Sequence, residues 1–358
     1  MGKQKLGLSK KEAERIETVG FDFKEKTRCG SFFQKDNQVL YFNQKNKDIE
    51  IMPTSLALKK YSWLKKYLWK AVDKNKDKYT KEVARHPQEG YFIRVKKGQK
   101  IEVPVQACLY LKKKKLHQRV HNLIIAQEGS FVNIITGCTI DPRASFGLHI
   151  GISEFFIQKG ATVYFTMIHN WAKETIVRPR TGAILEKNSK FISNYICKKE
   201  VKDIQMFPLA YLKGEGAIAR FNSILVAKKG SYLDIGSGVF LGAKKTKAEI
   251  TTKALSEGGK IISRGRLIGE SSDTKAHLEC QGLIVDKEGQ IEAIPEIKAL
   301  TIGTDLSHEA AIGKIAQEEI DYLMARGISY QEAVSLIVKG FLSFQNNNFL
   351  KEFTKEII

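Results

Sequence analysis

The sequence predicts a mainly β protein whose central part is wound as a parallel β-helix. Short apolar runs with β-type alternation fill residues 91–305, and no long helical pattern interrupts them. Charged turns containing Gly or Asn recur at intervals close to 30 residues, with one half-interval: Gly129, Gly160, Asn188, Gly216, Gly230, Gly259 and Gly289. Repeats of this length are typical of solenoids, and glycine permits the positive φ of a tight corner. A β-sandwich is the alternative, but it predicts shorter and less regular spacing.

Residues 1–90 are predicted to form a small α/β head in front of the β-helix. Ser9 and Glu12 have the spacing of a capping box, which predicts a short helix after Ser9. A second helix is predicted over about 55–72 from the helical spacing of four apolar side chains, Trp63, Leu64, Tyr67 and Leu68. We expect these side chains to lie in the core. Residues 73–78 are polar and are interpreted as a linker.

Residues 306–358 are predicted to form a C-terminal helical domain. A first helix is expected within 311–324, and Gly327 suits the left-handed residue that follows a helix end. Ser329 and Glu332 have the spacing of a second capping box. The helix that follows carries an apolar stripe of Val334, Ile337, Val338, Phe341 and Leu342. We expect this helical hairpin to cap the last coil of the β-helix and to offer a docking surface.

The chain is strongly basic, with 59 Lys and Arg residues against 39 Asp and Glu residues and a formal net charge of +20. Such a balance favours a polyanionic partner. The lysines are scattered, however, and the densest run is only Lys112–Lys115. No basic recognition helix is apparent. We therefore prefer a solvated, lysine-rich surface, and a nucleic-acid-binding β-solenoid is the alternative.

Several classes of function are excluded by missing motifs. The five cysteines are widely spaced and form no CxxC pair, which argues against a zinc ribbon or a ferredoxin-type site. There is no Walker A sequence and no GxSxG motif, so ATP hydrolysis by this chain is not expected. Without a long apolar segment or a secretory signal, we expect a cytoplasmic protein with free thiols.

Two segments near the end of the β region carry residues that suit iron. Cys280 lies in AHLECQGLIVD, and His308 and Glu309 lie in DLSHEA, about one coil further on. Residues one coil apart stack in a β-helix, so the three side chains can approach one another. Thiolate and imidazole suit iron, and carboxylate tolerates it. From the residues alone, a buried structural cysteine and a satisfied polar histidine remain open alternatives.

These segments resemble the SufB/SufD family of iron–sulfur cluster assembly proteins. HLECQGLIVD, LSHEAAIGKI and DYLMARGISYQEAVSLIVKGFL resemble the C-terminal half of SufB, and GSFVNIITGCT and HIGISEFFIQKGATVYFTMIHNW resemble its β-helix core. The head is similar to that of short archaeal-type members, so the resemblance covers nearly the whole chain. SufD-type chains generally lack the cysteine, and the chain therefore resembles SufB more closely.

The resemblance implies a scaffold rather than an enzyme. It implies a right-handed parallel β-helix and a transient iron–sulfur cluster, of the [4Fe-4S] type, bound with the participation of Cys280, His308 and Glu309. It implies a SufC-like ABC-type ATPase on the C-terminal helices, a sulfur donor and acceptor apoproteins. A reduced flavin is compatible with the family but is not indicated by this sequence. The alternative within the family is a SufD-like structural subunit without its own cluster.

Two positions bear on how sulfur would reach the site. Many SufB proteins have a sulfur-receiving cysteine where this chain has Ala210, which puts the usual entry route in question. Cys138 matches a family position but lies in an apolar strand, where we expect a structural role.

The site residues also suggest an oligomeric state. SufB and SufD normally pair, one presenting the cysteine and the other a histidine, whereas this chain contains both. If 304–309 is extended, His308 and Glu309 point to opposite faces. We therefore expect a homodimer through the strands around 280 and 305, with Cys280 of one subunit beside the partner's His308. A heterodimer with a SufD-like chain is the alternative.

Overall fold

The computed structural model describes residues 6–86, 89–141, 143–144 and 146–343, and within them the chain is a parallel β-helix of about eight turns. The strands are β1 (Gly30–Lys35), β2 (Gln38–Gln44), β3 (Ile49–Pro53), β4 (Tyr91–Val95), β5 (Lys100–Leu111), β6 (Leu116–Ala126), β7 (Phe131–Ile140), β8 (Gly147–Ile157), β9 (Thr162–Asn170), β10 (Thr175–Val177), β11 (Arg180–Leu185), β12 (Lys190–Cys197), β13 (Asp203–Met206), β14 (Leu209–Leu212), β15 (Ile218–Lys228), β16 (Tyr232–Leu241), β17 (Lys247–Glu257), β18 (Lys260–Gly269), β19 (Thr274–Ile284), β20 (Gln290–Ala299) and β21 (Thr304–Lys314). The first sheet has the order β2-β1-β5-β7-β9-β12-β15-β17-β19-β21, and the remaining strands form the second sheet.

From β5 onwards the chain alternates between the two sheets, so that each coil contributes to both. One row of core-facing positions in the first sheet shows the repeat: Leu109, Cys138, His169, Cys197, Leu225, Ala254, Gly282 and Ile312. These register partners lie 28 to 31 residues apart, which confirms the predicted β-helix and its spacing.

One corner of the β-helix has a left-handed residue in every coil. The residues with positive φ there are Gly98, Gly129, Gly160, Asn188, Gly216, Lys245, Asp273 and Gly303. Their backbone N–H groups bond to the next coil, as from Gly129 to the carbonyl of Lys159 at 2.8 Å. At the opposite corner the positive φ values belong to Gly230 and Gly258. The half-interval in the sequence repeat therefore reflects a change of corner, and Gly259 and Gly289 do not have this conformation.

The core lies between the two sheets and consists of stacked apolar side chains. Phe155 of the second sheet contacts Phe165 and Phe191 of the first, with ring centroids 4.9 Å apart in both cases. Each such buried ring stabilises the fold by about 2–3 kcal/mol relative to exposure. Because the strands are in register, each coil presents the next with a matching apolar surface.

The head supplies the first strands of both sheets. β1 pairs parallel to β5, and β3 pairs antiparallel to β4, so the N-terminal end of the β-helix is built partly from the head. Helix α1 (Lys10–Glu17) begins with the predicted capping box of Ser9 and Glu12 and buries Ala13 and Ile16. It packs on the outer face of the first sheet, against Tyr110 among other residues.

The predicted helix over 55–72 is wrong in extent. Helix α2 (Thr54–Lys60) ends at Tyr61, which is extended, and only a short 3-10 helix over Ser62–Lys66 follows. The four predicted apolar side chains do pack together beside the second sheet. Part of the expected linker is Asp77, which caps helix α3 (Lys78–Arg85).

A buried carboxylate determines the path of the chain after the 3-10 helix. Glu154 is fully buried and accepts N–H groups from Trp69 at 2.6 Å, Ala71 at 2.7 Å and Val72 at 3.1 Å. His121 lies 2.8 Å from the same carboxylate. These backbone groups bond to Glu154 rather than to helical carbonyls, which is why the helix does not continue.

The C-terminal helices differ from the prediction at their start and in their position. β21 continues to Lys314, so the helix expected within 311–324 is shorter, and α4 spans Gln317–Met324. Gly327 has the expected positive φ, and α5 (Tyr330–Leu342) has the expected capping box. Residues 344–358 of the predicted domain lie outside the described residues.

The hairpin does not cap the last coil, contrary to the prediction. Val338 and Leu342 pack on the outer face of the first sheet with Leu255. The Lys253 ammonium donates to the carbonyls of Phe341 at 2.8 Å and Ser343 at 2.6 Å. The end of the β-helix, made by β20 and β21, is therefore left largely exposed.

We predict that Glu154→Gln lowers the free energy of unfolding by about 2–4 kcal/mol, because the amide group turns a donor towards backbone donors. Urea denaturation measures this change. Glu288→Gln is the control: its exposed pair with Lys229, at 2.8 Å, is worth less than about 1 kcal/mol. Equal effects of the two substitutions would contradict the role given to Glu154.

Candidate functional site

Cys280 lies on the core-facing side of β19, one coil from the end of the β-helix. Its register partners are Thr252 in the preceding coil and Ala310 in the last coil. The side chain is only 2% exposed, because the last coil covers it. Strand alternation and coil stacking together therefore place the thiol inside the β-helix, close to its open end.

The structure brings His308 to the same place. Both side chains line a small cleft together with Ser263, Pro295 and Ala310. His308 is the register partner of Leu278, the core-facing residue that precedes Cys280 on its strand. The volume of the cleft is about 10 Å³, which is room for at most about one water molecule. A thiol and an imidazole thus meet in one chain, in a space too small for a cluster.

Glu309 is not part of this cleft. Its register partner is Glu279, and both lie on the outer face of the first sheet, opposite Cys280 and His308. The alternation expected of His308 and Glu309 is present. Among the described residues, no three His, Cys, Asp or Glu side chains are arranged to hold a metal ion.

Burial sets the protonation of the thiol. It raises the pKa of Cys280 above its ordinary value, and the Ser263 hydroxyl offsets this only in part. The neutral thiol is therefore favoured near neutral pH, and the thiolate needs iron or another cation nearby.

A second row of polar side chains lies deeper in the core and was not predicted as a group. Cys138, His169 and Cys197 occupy one register row on three successive coils. His169 Nδ1 lies 2.9 Å from the Tyr195 hydroxyl. Burial raises the pKa of Cys197 to about 12 and also raises that of Cys138. Their equal spacing in the sequence, close to one coil, is the signal that finds such a row.

Ala210 lies in β14 and is fully buried between its register partners Ala183 and Val239. The structure therefore shows no thiol at the position where the resemblance expects one.

The outer face beside Glu309 carries further polar groups that sequence reasoning missed. His277 and Ser307 are register partners, with Nδ1 and Oγ 2.8 Å apart. Glu279 accepts a hydrogen bond from Gln281 at 2.6 Å. An interval of 30 residues, from 277 to 307 and from 279 to 309, would have identified both pairs.

Comparison with known proteins decides the family. The family described as "SUF system FeS cluster assembly, SufBD core domain" matches residues 109–341. The chain belongs to the SufBD family. The resemblance predicted from the sequence is thus confirmed, and the assembly of iron–sulfur clusters is the process in which this chain takes part.

Relatives along almost the whole chain agree with this assignment. An iron–sulfur cluster assembly SufBD family protein of Archaeoglobus fulgidus is 47% identical over 340 residues, covering 95% of this chain and 90% of its own. A Methanothermobacter thermautotrophicus relative of the same description is 43% identical, covering 98% and 86%. The iron–sulfur cluster assembly protein SufB of Bacillus subtilis is 32% identical, covering 93% and 71%. Within the described part of this SufBD chain, no helix is long and apolar enough to span a membrane.

We predict that native Cys280 reacts slowly with iodoacetamide near neutral pH, because the thiol is both covered and protonated. The rate should keep rising at pH values where a free cysteine has already reached its plateau, since burial raises the pKa. Peptide mass spectrometry over a pH series measures this, with the urea-unfolded chain as the control. Alkylation at neutral pH as fast as in the unfolded chain would contradict the closed cleft.

Proposed function

We propose that this chain is the scaffold on which an iron–sulfur cluster is assembled and from which it is transferred, with the work supplied by a separate SufC-like ABC-type ATPase. The observation that supports this most directly is the meeting of Cys280 and His308 in one cleft of a SufBD-family chain. The cluster, of the [4Fe-4S] type, is cargo and not a resident cofactor. The chain itself catalyses no reaction in this proposal.

Cluster assembly at this cleft requires the last coil to move. A cleft of about 10 Å³ does not hold a cluster, and Cys280 is covered by β20 and β21. These strands have a neighbouring coil on one side only, so they are the least stabilised part of the β-helix. We assign Glu309 to the site only in the opened state, because it faces outwards when the coil is closed.

The C-terminal helices are suited to transmit this movement. Tyr322, Met324, Tyr330 and Leu336 remain exposed on α4 and α5 or beside them, which offers an apolar docking surface to the ATPase. Helix α5 is bonded to Lys253, the register partner of Gln281, which follows Cys280. A displacement of α5 would therefore act on the strand pair that holds Cys280.

The exposed end of the β-helix supports a dimer. β21 is an unpaired edge strand, and exposed apolar side chains lie on it or beside it, with Ile312 40%, Leu300 63% and Ile302 97% exposed. Such an edge pairs readily with another chain. We propose a homodimer through this end, with a SufD-like partner as the alternative occupant.

The geometry changes how the dimer would build its site. The sequence led us to expect Cys280 of one subunit beside the partner's His308, but one chain already holds both residues in one cleft. We therefore propose that a two-fold dimer brings two complete Cys280–His308 clefts side by side.

Sulfur delivery and location complete the proposal. With Ala210 in place of a thiol, sulfur reaches Cys280 by another route, and a sulfur donor and acceptor apoproteins act at the opened last coil. All five cysteines are free, which suits a reducing cytoplasm. A reduced flavin has no support in the residues around the cleft and is not included.

Substituting Cys280 tests the scaffold function. We predict that Cys280→Ala reduces the cluster retained after anaerobic reconstitution with iron and sulfide to background, measured by visible absorption, while the free energy of unfolding changes by no more than about 1–2 kcal/mol. Cys138→Ala is the matched control: it should retain the cluster and lose about 1–2 kcal/mol of stability, because Cys138 is 1% exposed in the packed core. Equal cluster loss in both variants would argue against Cys280 as the ligand.

Two exposed apolar residues test the partners against each other. We predict that Ile312→Arg gives a monomer by light scattering but still binds the ATPase, since its side chain lies on the last coil. Leu336→Arg, on α5, should remain dimeric and bind the ATPase at least about tenfold more weakly. Each variant is the control for the other. A dimer that survives Ile312→Arg, or full ATPase binding by Leu336→Arg, would contradict the corresponding surface.

A further inference from the structure

The part of the head that covers the second sheet is strongly basic. We call residues 54–81 the head layer; they contain nine lysines and two aspartates. Residues such as Ala57 and Leu64 are buried beside the sheet. The lysines, including Lys65, Lys66 and Lys70, are exposed on the other side. The layer therefore presents a positive surface to solvent.

One of the two aspartates contributes little to balancing this surface. Asp77 is partly buried and accepts a hydrogen bond from Arg180 at 2.6 Å. Asp73 is the exposed acidic residue within the layer. Less than a tenth of the chain thus carries about a third of its net charge of +20, and the field is concentrated on one face.

Aromatic side chains lie between the lysines and are half-buried. Tyr61 and Trp63 have ring centroids 5.4 Å apart, and Trp63 meets Tyr67 edge to face at 5.8 Å. The Arg94 guanidinium lies 4.6 Å from the centre of the Tyr61 ring. The rings are therefore held by one another and by Arg94, and they expose edges rather than open faces.

We propose that the head layer is a docking surface for an acidic protein. Half-buried Trp and Tyr side chains surrounded by charge are the composition of a protein-binding hot spot with a polar rim. The excess of lysines selects a negatively charged partner surface and speeds encounter at low ionic strength. This inference is independent of the cluster chemistry proposed for Cys280.

The same features fit nucleic acid less well. Binding of single strands relies on open aromatic faces on which bases stack, whereas Tyr61, Trp63 and Tyr67 are covered by neighbours. Groove readers insert an exposed helix or ribbon, whereas α2 and α3 are short and lie against the second sheet.

The location leaves room for two partners at once. The layer lies over the first coils, where it is tied to β8 through Glu154, whereas Cys280 lies about four coils further on. At a strand spacing of about 4.8 Å, this separates the two sites by about 20 Å along the axis. A protein docked on the head layer would not block the last coil.

A charge-reversal experiment tests the proposal. The probe is a fluorescently labelled plant-type ferredoxin, a small acidic protein, titrated with the full, cluster-free chain and followed by anisotropy at low salt. We expect Lys65→Glu, Lys66→Glu and Lys70→Glu together to weaken binding at least about tenfold. The control carries Lys113→Glu, Lys114→Glu and Lys287→Glu, the same charge change at exposed positions elsewhere, and should bind as the unmodified chain does. Equal melting temperatures of both variants verify folding.

Three outcomes would overturn the proposal. One is the absence of ferredoxin binding by the unmodified chain at low salt, and another is equal weakening in the control. The third uses a single-stranded oligonucleotide: if it quenches tryptophan fluorescence and binds more tightly than ferredoxin at the same salt concentration, the surface belongs to nucleic acid. Weaker oligonucleotide binding without quenching supports the protein partner.

Discussion

Stacking of one coil on the next is the interaction on which the rest of this structure depends. Every strand of the inner coils bonds to a strand of the coil before it and a strand of the coil after it, in register. The register aligns like side chains, so phenylalanines meet phenylalanines inside and corner residues meet corner residues outside. A coil alone buries neither its apolar face nor its backbone groups, and its stability comes from its neighbours.

The cleft of Cys280 and His308 lies where this stacking stops. The thiol has the protection of the core, and the strand that covers it has a single neighbour. The same lack of a second neighbour makes the last coil easier to displace and leaves an edge that favours association with another chain. Closure of the cleft, its opening and the pairing of subunits are therefore consequences of one structural fact. The helices leave this end free because they bind the side of the β-helix and not its end.

Much of the fold and of the site is predictable from the sequence because both depend on the coil repeat. The interval of about 30 residues implies stacking, and stacking implies that Cys280 and His308 approach each other. Alternation along β21 separates Glu309 from them, which the sequence also indicates.

The sequence misses features that are set by single contacts between distant residues. Glu154 redirects the chain after the 3-10 helix by bonding to backbone groups more than 80 residues away. Lys245 and Asp273 adopt the corner conformation without being glycine, since the coils on either side impose it. Residues 311–314 have an apolar pattern compatible with a helix, but pairing with β19 makes them a strand. Local patterns do not reveal these choices, because the competing state wins through tertiary contacts.

The stack of left-handed residues at one corner also limits how such a chain can change in length during evolution. Each of these residues bonds to its counterpart in the next coil, so an extra residue between Gly129 and Gly160 would displace one of the two intervening strands by one position. That strand would then turn its core side chains outwards and its surface side chains inwards. Insertions are compatible with the fold where the corner stack is not crossed, as at the opposite corner around 198–202, or when a complete coil is added. Length is therefore inherited in units of whole coils.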